Sequence, residues 1–368
     1  MARNAIVVGA GIAGLATAHA LAVQGYKVRV FERNGRASGA SVRNFGMIWP
    51  VGQPDGVAYE SAMRSRQIWE SLCREAGIWF ETCGSLHLAY HDDEWQVLQE
   101  LHTMYTERPF QLLSKERVSE ISRNAVRAGL LGGLYSDTEM IVDPREAIFK
   151  IPLYLTEKFG VEFHWNEPVR SVSLPDVKTS VGTYGTEEVF VCSGADFESL
   201  YPDHYAAAPL TRCKLQMMRL SAQEARMGPA LCGGLSLGHY KSFEVAPSLE
   251  RLKNRYALEF PLYKKYGIHV MVSQNQSGQF TIGDSHEYGP DPDPFDKACI
   301  NKLILDYLGS FAGFHNAAVI ESWNGVYPKL TDGASWLLLR PAPGVTIING
   351  FGGAGMTLAF GMADRLID

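Results

Sequence analysis

Cysteine pairs, metal-ligand spacing and an excess of positive charge are all missing from this sequence of 368 residues. The six cysteines form no C-x-x-C pair and follow no disulfide-like rhythm, which favours a reducing compartment. The ten histidines are scattered without ligand spacing, so we predict no metal site. A net charge of −6 argues against nucleic acid as a partner, because phosphate binding usually needs a basic face.

The composition that is present is globular. Apolar residues make up 46% of the chain and charged residues 20%, which excludes the disordered, collagenous and coiled-coil classes. The length predicts two domains, and the sequence contains no internal repeats. A mildly acidic chain can still form a locally basic pocket for an anionic substrate.

The first 23 residues form an apolar run with one positive charge, and two interpretations are open at this point. The run resembles a secretory leader or a short membrane span, or else it belongs to the fold. Its pattern in detail is a strand over Asn4–Val8, the turn Gly9-Ala-Gly-Ile-Ala-Gly14, a helix over Leu15–Gln24 and a second strand over Tyr26–Phe31 that ends at Glu32.

This order of strand, glycines, helix, strand and acid predicts a dinucleotide-binding unit. Gly9 permits the tight turn, Gly11 lets the backbone approach a pyrophosphate, and Gly14 lets the helix pack on the strand. Glu32 can accept hydrogen bonds from both ribose hydroxyls, which favours FAD or NAD over NADP. A leader would leave the second strand and Glu32 unexplained, so we predict a cytoplasmic enzyme with no membrane span.

The rest of the chain distinguishes FAD from NAD. An NAD-binding domain would continue with strand–helix repeats, whereas here a Gly-rich loop over Arg33–Trp49 precedes a helix over Val57–Ala76. The later patterns predict a helix over Pro144–Phe159, strands over Gly160–Val169, Glu188–Ala195 and Gly344–Gly350, and a glycine-rich turn at Phe351–Thr357 before a final helix.

Together these features resemble the superfamily of FAD enzymes that contains D-amino-acid oxidase, glycine oxidase and sarcosine oxidase, over essentially the whole chain. Within it, four segments most resemble the oxidoreductases associated with phosphonate catabolism: SGASVRNFGMIWP (38–50), YGIHVMVSQNQSGQFTIGDSHEYG (266–289), WNGVYPKLTD (323–332) and FGGAGMTLAFGMAD (351–364).

The resemblance implies an α/β fold in which a Rossmann-type FAD-binding domain is interwoven with an α+β substrate domain built on a mixed sheet. The FAD-binding domain takes residues 1–82, 143–212 and 316–368, and the substrate domain takes 83–142 and 213–315. Strands are expected in the substrate domain over Lys214–Leu220, Tyr256–Phe260, Gly267–Ser273 and Gln279–Gly283, with a helix over about Asp296–Gly309.

The resemblance also implies which residues bind FAD. They are Gly9, Gly11, Gly14, Glu32, Arg33, Ser38, Ala40, Ser41, Val169, Ser193, Gly194, Gly352, Gly353, Gly355, Met356 and Thr357. Some relatives attach the flavin to a Cys after the segment matching Trp323–Pro328, and none stands there, so non-covalent FAD is expected. Thr281 stands where relatives often carry a Lys that activates oxygen. The absence of that Lys argues against fast oxidation by oxygen, so oxygen and another electron acceptor both stay open.

The reaction implied is oxidation of a C–N bond in a small anionic amine, by hydride transfer to the flavin and hydrolysis of the imine to an aldehyde. Candidate substrate-binding residues are Arg43, Asn44, His269, Gln274, Ser285, His286, Tyr327 and Lys329. Arg43 could instead contact the FAD pyrophosphate, Lys329 could be a solvated turn residue, and His269 could be a satisfied core histidine. No catalytic acid or base is assigned, because the step needs a neutral amine but no obligatory protein base.

Three functions stay open at this stage. The first is oxidation of an aminophosphonate such as 2-aminoethylphosphonate or its N-methyl form. The second is oxidation of glycine, sarcosine or a D-amino acid. The third is a non-catalytic flavoprotein or an NAD-binding module. The oligomeric state is left open as well.

Overall fold

A computed structural model describes residues 3–367, and these form ten helices and twenty-one strands. The helices are α1 (Ile12–Val23), α2 (Val57–Ala76), α3 (Asp92–Met104), α4 (Lys115–Ile121), α5 (Pro144–Phe159), α6 (Pro202–Ala207), α7 (Leu249–Glu259), α8 (Pro261–Lys265), α9 (Ala298–Phe311) and α10 (Gly355–Ile367). The strands are β1 (Asn4–Val8), β2 (Lys27–Glu32), β3 (Met47–Ile48), β4 (Phe80–Glu81), β5 (Ser85–Ala89), β6 (Phe110–Ser114), β7 (Gly132–Ser136), β8 (Met140–Val142), β9 (Glu162–Trp165), β10 (Val169–Ser173), β11 (Asp176–Thr179), β12 (Thr183–Gly185), β13 (Glu188–Val191), β14 (Leu210–Leu220), β15 (Ala230–Cys232), β16 (Met271–Gln274), β17 (Phe280–Gly283), β18 (Glu287–Gly289), β19 (Val319–Leu330), β20 (Leu337–Ala342) and β21 (Val345–Asn349).

The first large sheet is the parallel one that the N-terminal pattern predicts. Its strand order is β20-β21-β13-β1-β2-β9, with β20 antiparallel at one edge and the other strands parallel. Ala5, Ile6 and Val7 at its centre are at most 1% exposed, as expected for a parallel sheet that is covered on both faces. Helices α1, α5 and α10 share a hydrophobic core with this sheet. The α/β class with a Rossmann-type domain is confirmed.

The apolar N-terminal run is divided between β1 and the 12-residue helix α1, and both are buried in the fold. Within residues 3–367, no helix combines the length and the apolar character that crossing a bilayer requires. All six cysteines are free thiols.

The second large sheet is mixed and follows the order β18-β14-β17-β16-β15-β5-β7-β6, with β19 paired to β14. The two long strands β14 and β19 run antiparallel from the pair Leu210–Leu330 to the pair Leu220–Val319. At its far end β19 reaches the first sheet, where Lys329 bridges to Phe351 after β21. The domain boundaries implied by the resemblance stay a prediction, since β19 falls inside the expected FAD-binding range yet pairs with the mixed sheet.

One predicted strand is wrong. The segment Tyr256–Phe260 was expected in the mixed sheet, but Tyr256 to Glu259 is the end of helix α7. Leu249, Leu252 and Tyr256 bury one face of that helix, a spacing of three and four residues that a strand would not use. The short apolar run alone could not separate the two possibilities.

Candidate functional site

The β1–α1 turn is built on two glycines that admit no side chain. Gly9 has φ +101°, and a Cβ there would stand 2.4 Å from the carbonyl oxygen of Cys192. A Cβ on Gly14 would stand 1.8 Å from the carbonyl oxygen of Gly9. The helix therefore packs directly on the strand end, and the N–H groups of its first turn have no partner within the helix.

Glu32 and Ser41 hold the turn from outside. One carboxylate oxygen of Glu32 accepts from Ala10 N at 3.0 Å, and the other accepts from Asn34 N at 3.1 Å. The Oγ of Ser41 accepts from Ile12 N at 2.9 Å. Glu32 is only 8% exposed, so its orientation is fixed by these bonds.

Beside this turn lies a cavity of about 570 Å³, which we call the groove. Ten of the residues predicted to bind the cofactor line it: Gly9, Gly11, Glu32, Arg33, Ser38, Ala40, Ser41, Val169, Ser193 and Gly194. Gly14 does not line the groove, and its role is the helix packing described above. Arg33 pairs at 2.7 Å with Asp196, a lining residue that the sequence pattern did not single out.

A second cavity of about 150 Å³, which we call the slot, adjoins the groove and shares Gly11, Ala40, Ser41, Cys192, Gly194 and Pro328 with it. The start of α10 closes one side of the slot. The predicted residues that line it are Arg43, Asn44, Tyr327, Gly352, Gly353, Gly355 and Met356. No side chain projects from the three glycines, so a flat ring could lie against the backbone there.

The polar side chains of Arg43 and Asn44 are bonded within the fold. Arg43 donates from Nε to Ser38 O and from a terminal nitrogen to Asn324 O, each at 3.0 Å. Asn44 donates to Ala40 O and Ser41 O and accepts from Gly46 N. Both residues therefore brace the loop that separates the groove from the slot.

A third cavity of about 260 Å³, which we call the chamber, lies on the other side of the slot. Asn44, Asp284, Gly352, Gly353 and Met356 line both of them. The predicted residues His269, His286, Lys329 and Thr357 line the chamber, together with His239, Tyr240 and Lys241, which the sequence pattern did not indicate.

Three imidazoles that are far apart in the sequence meet in the chamber wall. One ring nitrogen from each of His239, His269 and His286 lies within 4.8 Å of the others. The rings of His239 and His269 stack with centroids 3.8 Å apart, and those of His269 and His286 are 12° from parallel. The histidines are thus not scattered in space, while the absence of a metal site stays a prediction.

Asp284 lies beside this cluster and is only 6% exposed. Its Oδ1 is 3.2 Å from Nε2 of His269, and its Oδ2 is 3.6 Å from Nε2 of His286. The Nδ1 of His286 lies 2.8 Å from Gly267 O, to which it can donate. Burial raises the pKa of Asp284 to about 6 and lowers the pKa of His269 well below its usual value. Asp284 is not among the residues predicted from the sequence, and the polar run from Asp284 to His286 at a strand end is the signal that points to it.

Lys329 reaches from β19 over the glycine turn that precedes α10. A Cβ on Gly352 would stand 3.4 Å from its Nζ. Within the described part of the chain, that amino group has no hydrogen-bond or ion-pair partner, whereas Lys241 at the same cavity donates to Gly333 O. Burial lowers the pKa of Lys329, and the neighbouring Lys241 adds to this effect.

Gln274 and Ser285 line none of these three cavities. The amide nitrogen of Gln274 donates to the carbonyl oxygens of Ala225 and Gly278, and its Oε1 accepts from Met227 N at 2.8 Å. Ser285 accepts from Gln216 N at 3.1 Å. Their polar atoms are thus used to hold loops and strands, and their contact with substrate stays a prediction.

Strand β19 contributes to all three cavities. Val326 and Pro328 line the groove, Gly325, Tyr327 and Pro328 line the slot, and Lys329 and Leu330 line the chamber. The pairing with β14 fixes this register, because Tyr327 lies opposite Cys213 in an unbroken ladder at that point.

Comparison with known proteins agrees with this geometry. The family described as FAD dependent oxidoreductase (DAO) matches residues 4–368. The glycerol 3-phosphate dehydrogenase of Caloramator mitchellensis is 26% identical over 198 residues, which are 51% of this chain and 41% of that protein. The match therefore covers less than half the length of that relative.

Two solved structures share the fold over nearly their whole length. L-proline dehydrogenase from P. horikoshii has a TM-score of 0.82 at 20% identity, covering 100% of this chain and 92% of that one. Glycine oxidase from Bacillus cereus has a TM-score of 0.79 at 17% identity, covering 100% of this chain and 94% of that one.

Proposed function

The chain belongs to the family of FAD-dependent oxidoreductases, and on that premise we propose that it oxidises the C–N bond of a small amine that also carries an anionic group. The favoured substrate is 2-aminoethylphosphonate or its N-methyl derivative, with an aldehyde as product after hydrolysis of the imine. The observation that carries this proposal is the chamber, which adjoins the slot and has three imidazoles in its wall and a lysine without a partner among residues 3–367.

The residues of the groove and slot fit FAD. A Cβ on Gly11 would stand 3.1 Å from Ser41 Oγ, so a side chain there would crowd the place where a pyrophosphate would meet the start of α1. Glu32 would bind the ribose, since its carboxylate lines the groove in a fixed orientation. The glycines at 352, 353 and 355 would hold the ring system in the slot.

Bound FAD supplies the hydride acceptor, and the rest of the chemistry depends on residues of the chain. The slot lies at the N-terminal end of α10, a helix of 13 residues. The positive end of its dipole and its free N–H groups favour negative charge at that place. Trp49 N donates to the Oγ1 of Thr357, which fixes the first turn of α10 against β3.

Lys329 is the residue best suited to hold the anionic group of the substrate. A cation in a partly buried position without a counter-charge is costly, and a bound phosphonate would supply both charge and hydrogen-bond acceptors. His269 and His286 border the same space. Arg43 is instead occupied with Ser38 O and Asn324 O, so we assign it to the loop that carries the cofactor.

Amino acids are the second candidate substrates. The fold likeness to glycine oxidase and to L-proline dehydrogenase favours them, and a carboxylate could take the place of the phosphonate at Lys329. Glycine, sarcosine and a D-amino acid are therefore the compounds to compare.

Anaerobic reduction of the flavin separates the two substrate classes. We expect 2-aminoethylphosphonate or its N-methyl derivative to bleach the yellow protein at low millimolar concentration or below, and ethylamine, which lacks the anion, to bleach it far more slowly. Bleaching by amino acids alone would exclude the phosphonate, and bleaching by no amine at all would exclude amine oxidation. Admission of oxygen or of a dye afterwards identifies the electron acceptor.

A further inference from the structure

We propose that Asp284 is the amine subsite: its carboxylate binds the ammonium group of the substrate in the chamber and removes its proton before oxidation. The inference rests on the proposed function, because it concerns the same cavity and the same class of substrate. In this step the N–H bond breaks, its electron pair stays on nitrogen, and a new O–H bond forms on Asp284. The product is the neutral amine that hydride transfer requires.

The position of Asp284 is the first support. It is the carboxylate shared by the slot and the chamber, and thus lies between the place for the cofactor ring and the place for the substrate. Asp284 N donates to His269 O at 2.8 Å and His269 N donates to Asp284 O at 3.3 Å. This backbone pairing keeps the carboxylate at the boundary of the two cavities.

Unpaired polar atoms are the second support. The Oδ1 of Asp284 and the Nδ1 of His269 are buried and make no hydrogen bond within residues 3–367. His269 Nε2 approaches Oδ1 at 3.2 Å without the alignment of a hydrogen bond. Buried polar atoms without partners are rare and commonly mark a ligand. We therefore expect a positively charged hydrogen-bond donor of the substrate to bind at Oδ1.

The electrostatic surroundings are the third support. The groups that face Asp284 are His269, His286, Tyr288 of β18, Cys213 of β14, Tyr327 of β19 and Tyr240. No Lys or Arg of the described residues forms an ion pair with it, so no resident cation competes with the ammonium group. Burial raises the pKa of Asp284 to about 6, which suits a group that must be ionised at neutral pH and still accept a proton.

Charge in the chamber is then arranged for a zwitterion. Lys329 offers a cation for the phosphonate or carboxylate, and Asp284 offers an anion for the amine. Both residues line the chamber, and Asp284 lines the slot as well, so the carbon between the two groups would be held beside the slot.

The test is the pH dependence of anaerobic flavin bleaching, with Asp284→Asn as the variant and Glu287→Gln as the control. Glu287 is a nearby carboxylate that pairs with Lys297 and lines neither cavity. We expect the wild type and the control to lose rate below pH of about 6 at low substrate, and Asp284→Asn to be slower by about 100-fold or more at neutral pH. The deficit of Asp284→Asn should shrink about tenfold per pH unit at alkaline pH, because the free amine then arrives without the extra proton.

Asp284→Glu keeps a carboxylate. Its bleaching rate should be lower than that of the wild type but should still fall at acid pH. The proposal is overturned if Asp284→Asn binds FAD with a normal spectrum and shows the wild-type pH profile, whether or not its rate is lower. It is overturned as well if Asp284→Asn loses nothing. Wild-type protein that no amine bleaches at any pH would instead refute the proposed function itself, and the subsite with it.

Discussion

At the scale of single residues, the chamber combines two partly or fully buried groups of opposite charge. Lys329 belongs to β19 and Asp284 follows β17. Among residues 3–367, Asp284 is close only to histidines that carry charge when protonated, and Lys329 pairs with no carboxylate. Keeping such groups uncompensated destabilises the fold, so their presence is best explained by a ligand that brings both missing charges.

Replacement of Lys329 tests the anion site. We expect Lys329→Met to raise the KM for the aminophosphonate by at least about 30-fold, because truncation leaves a desolvated anion without its cation. The KM for ethylamine should change little. Steady-state kinetics with both substrates give the comparison.

The control for that replacement is Lys302→Met. Lys302 pairs with Asp306 on the exposed side of α9, away from the chamber. An equal rise of KM for both substrates in Lys329→Met would mean that the lysine supports the cavity wall and does not bind the anion.

Asp284 also has a consequence for stability. A carboxyl has a pKa near 3.9 in the unfolded chain and about 6 here, so the folded state holds an extra proton between these values and loses stability as pH rises through them. Asp284→Asn should therefore stabilise the protein more at pH 8 than at pH 5, by about 1 kcal/mol.

Urea unfolding of wild type and Asp284→Asn at the two pH values measures this difference. The variant supplies its own control, since the loss of contacts is the same at both pH values. A difference of the opposite sign would contradict a raised pKa at this position.

Single residues show where sequence reasoning stops. The predicted cofactor residues follow from short motifs, because the spacing of the glycines and the position of a carboxylate at a strand end determine the geometry of the turn. His239 could not be found that way, and Asp284 only as part of a polar run at a strand end, since their proposed role arises only when the segments around His239, His269 and Asp284 come together. Gln274 shows the opposite. Its motif predicts a substrate contact, but its amide group is hydrogen-bonded to Ala225 O and Gly278 O of the neighbouring loops.

At the scale of elements, the β1–α1 unit depends on one close contact. Gly14→Ala would put a methyl group 1.8 Å from Gly9 O, so α1 must move away from β1 and from the groove. We expect FAD affinity to fall by about 100-fold or more, since the helix N-terminus no longer meets the pyrophosphate. Flavin fluorescence during dilution measures the affinity.

Gly182→Ala is the matched control. A Cβ at Gly182 meets nothing within 4 Å, so that variant should bind FAD normally. Normal binding by Gly14→Ala would show that the strand and helix can separate without harm to the groove.

Long elements were predictable and a short one was not. Helices α2 and α5 have the bounds that the sequence predicts, Val57–Ala76 and Pro144–Phe159. Both are long enough for periodicity to be distinct, and each is followed by a glycine at positive φ. Tyr256–Phe260 offered five residues without such an end signal, and its place was decided by packing against the rest of the domain.

At the scale of the whole molecule, the slot joins the two large sheets. Gly11 and Cys192 follow strands of the parallel sheet, whereas Leu215 and Tyr327 belong to the mixed sheet. A ligand that fills the slot thus contacts both sheets. The sequence could imply this arrangement only through the resemblance, because residues more than 100 positions apart form each wall.

Removal of FAD should therefore destabilise the whole chain. At a free FAD concentration of 1,000 times Kd the stabilisation is about 4 kcal/mol, so the apoprotein should unfold at a temperature several degrees lower. Thermal unfolding before and after addition of FAD gives the shift. An apoprotein that unfolds at the same temperature as the holoprotein would contradict binding at this junction.

The placement of β19 limits how such a protein can diversify. Apart from Pro328, which lines both the groove and the slot, each residue of this strand from Gly325 to Leu330 lines one cavity, so a substitution can alter one cavity and leave the next untouched. An inserted or deleted residue would shift all of them to the wrong cavity at once. Descendants or engineered variants with new substrates are thus free to change the side chains of β19, while its length is inherited unchanged.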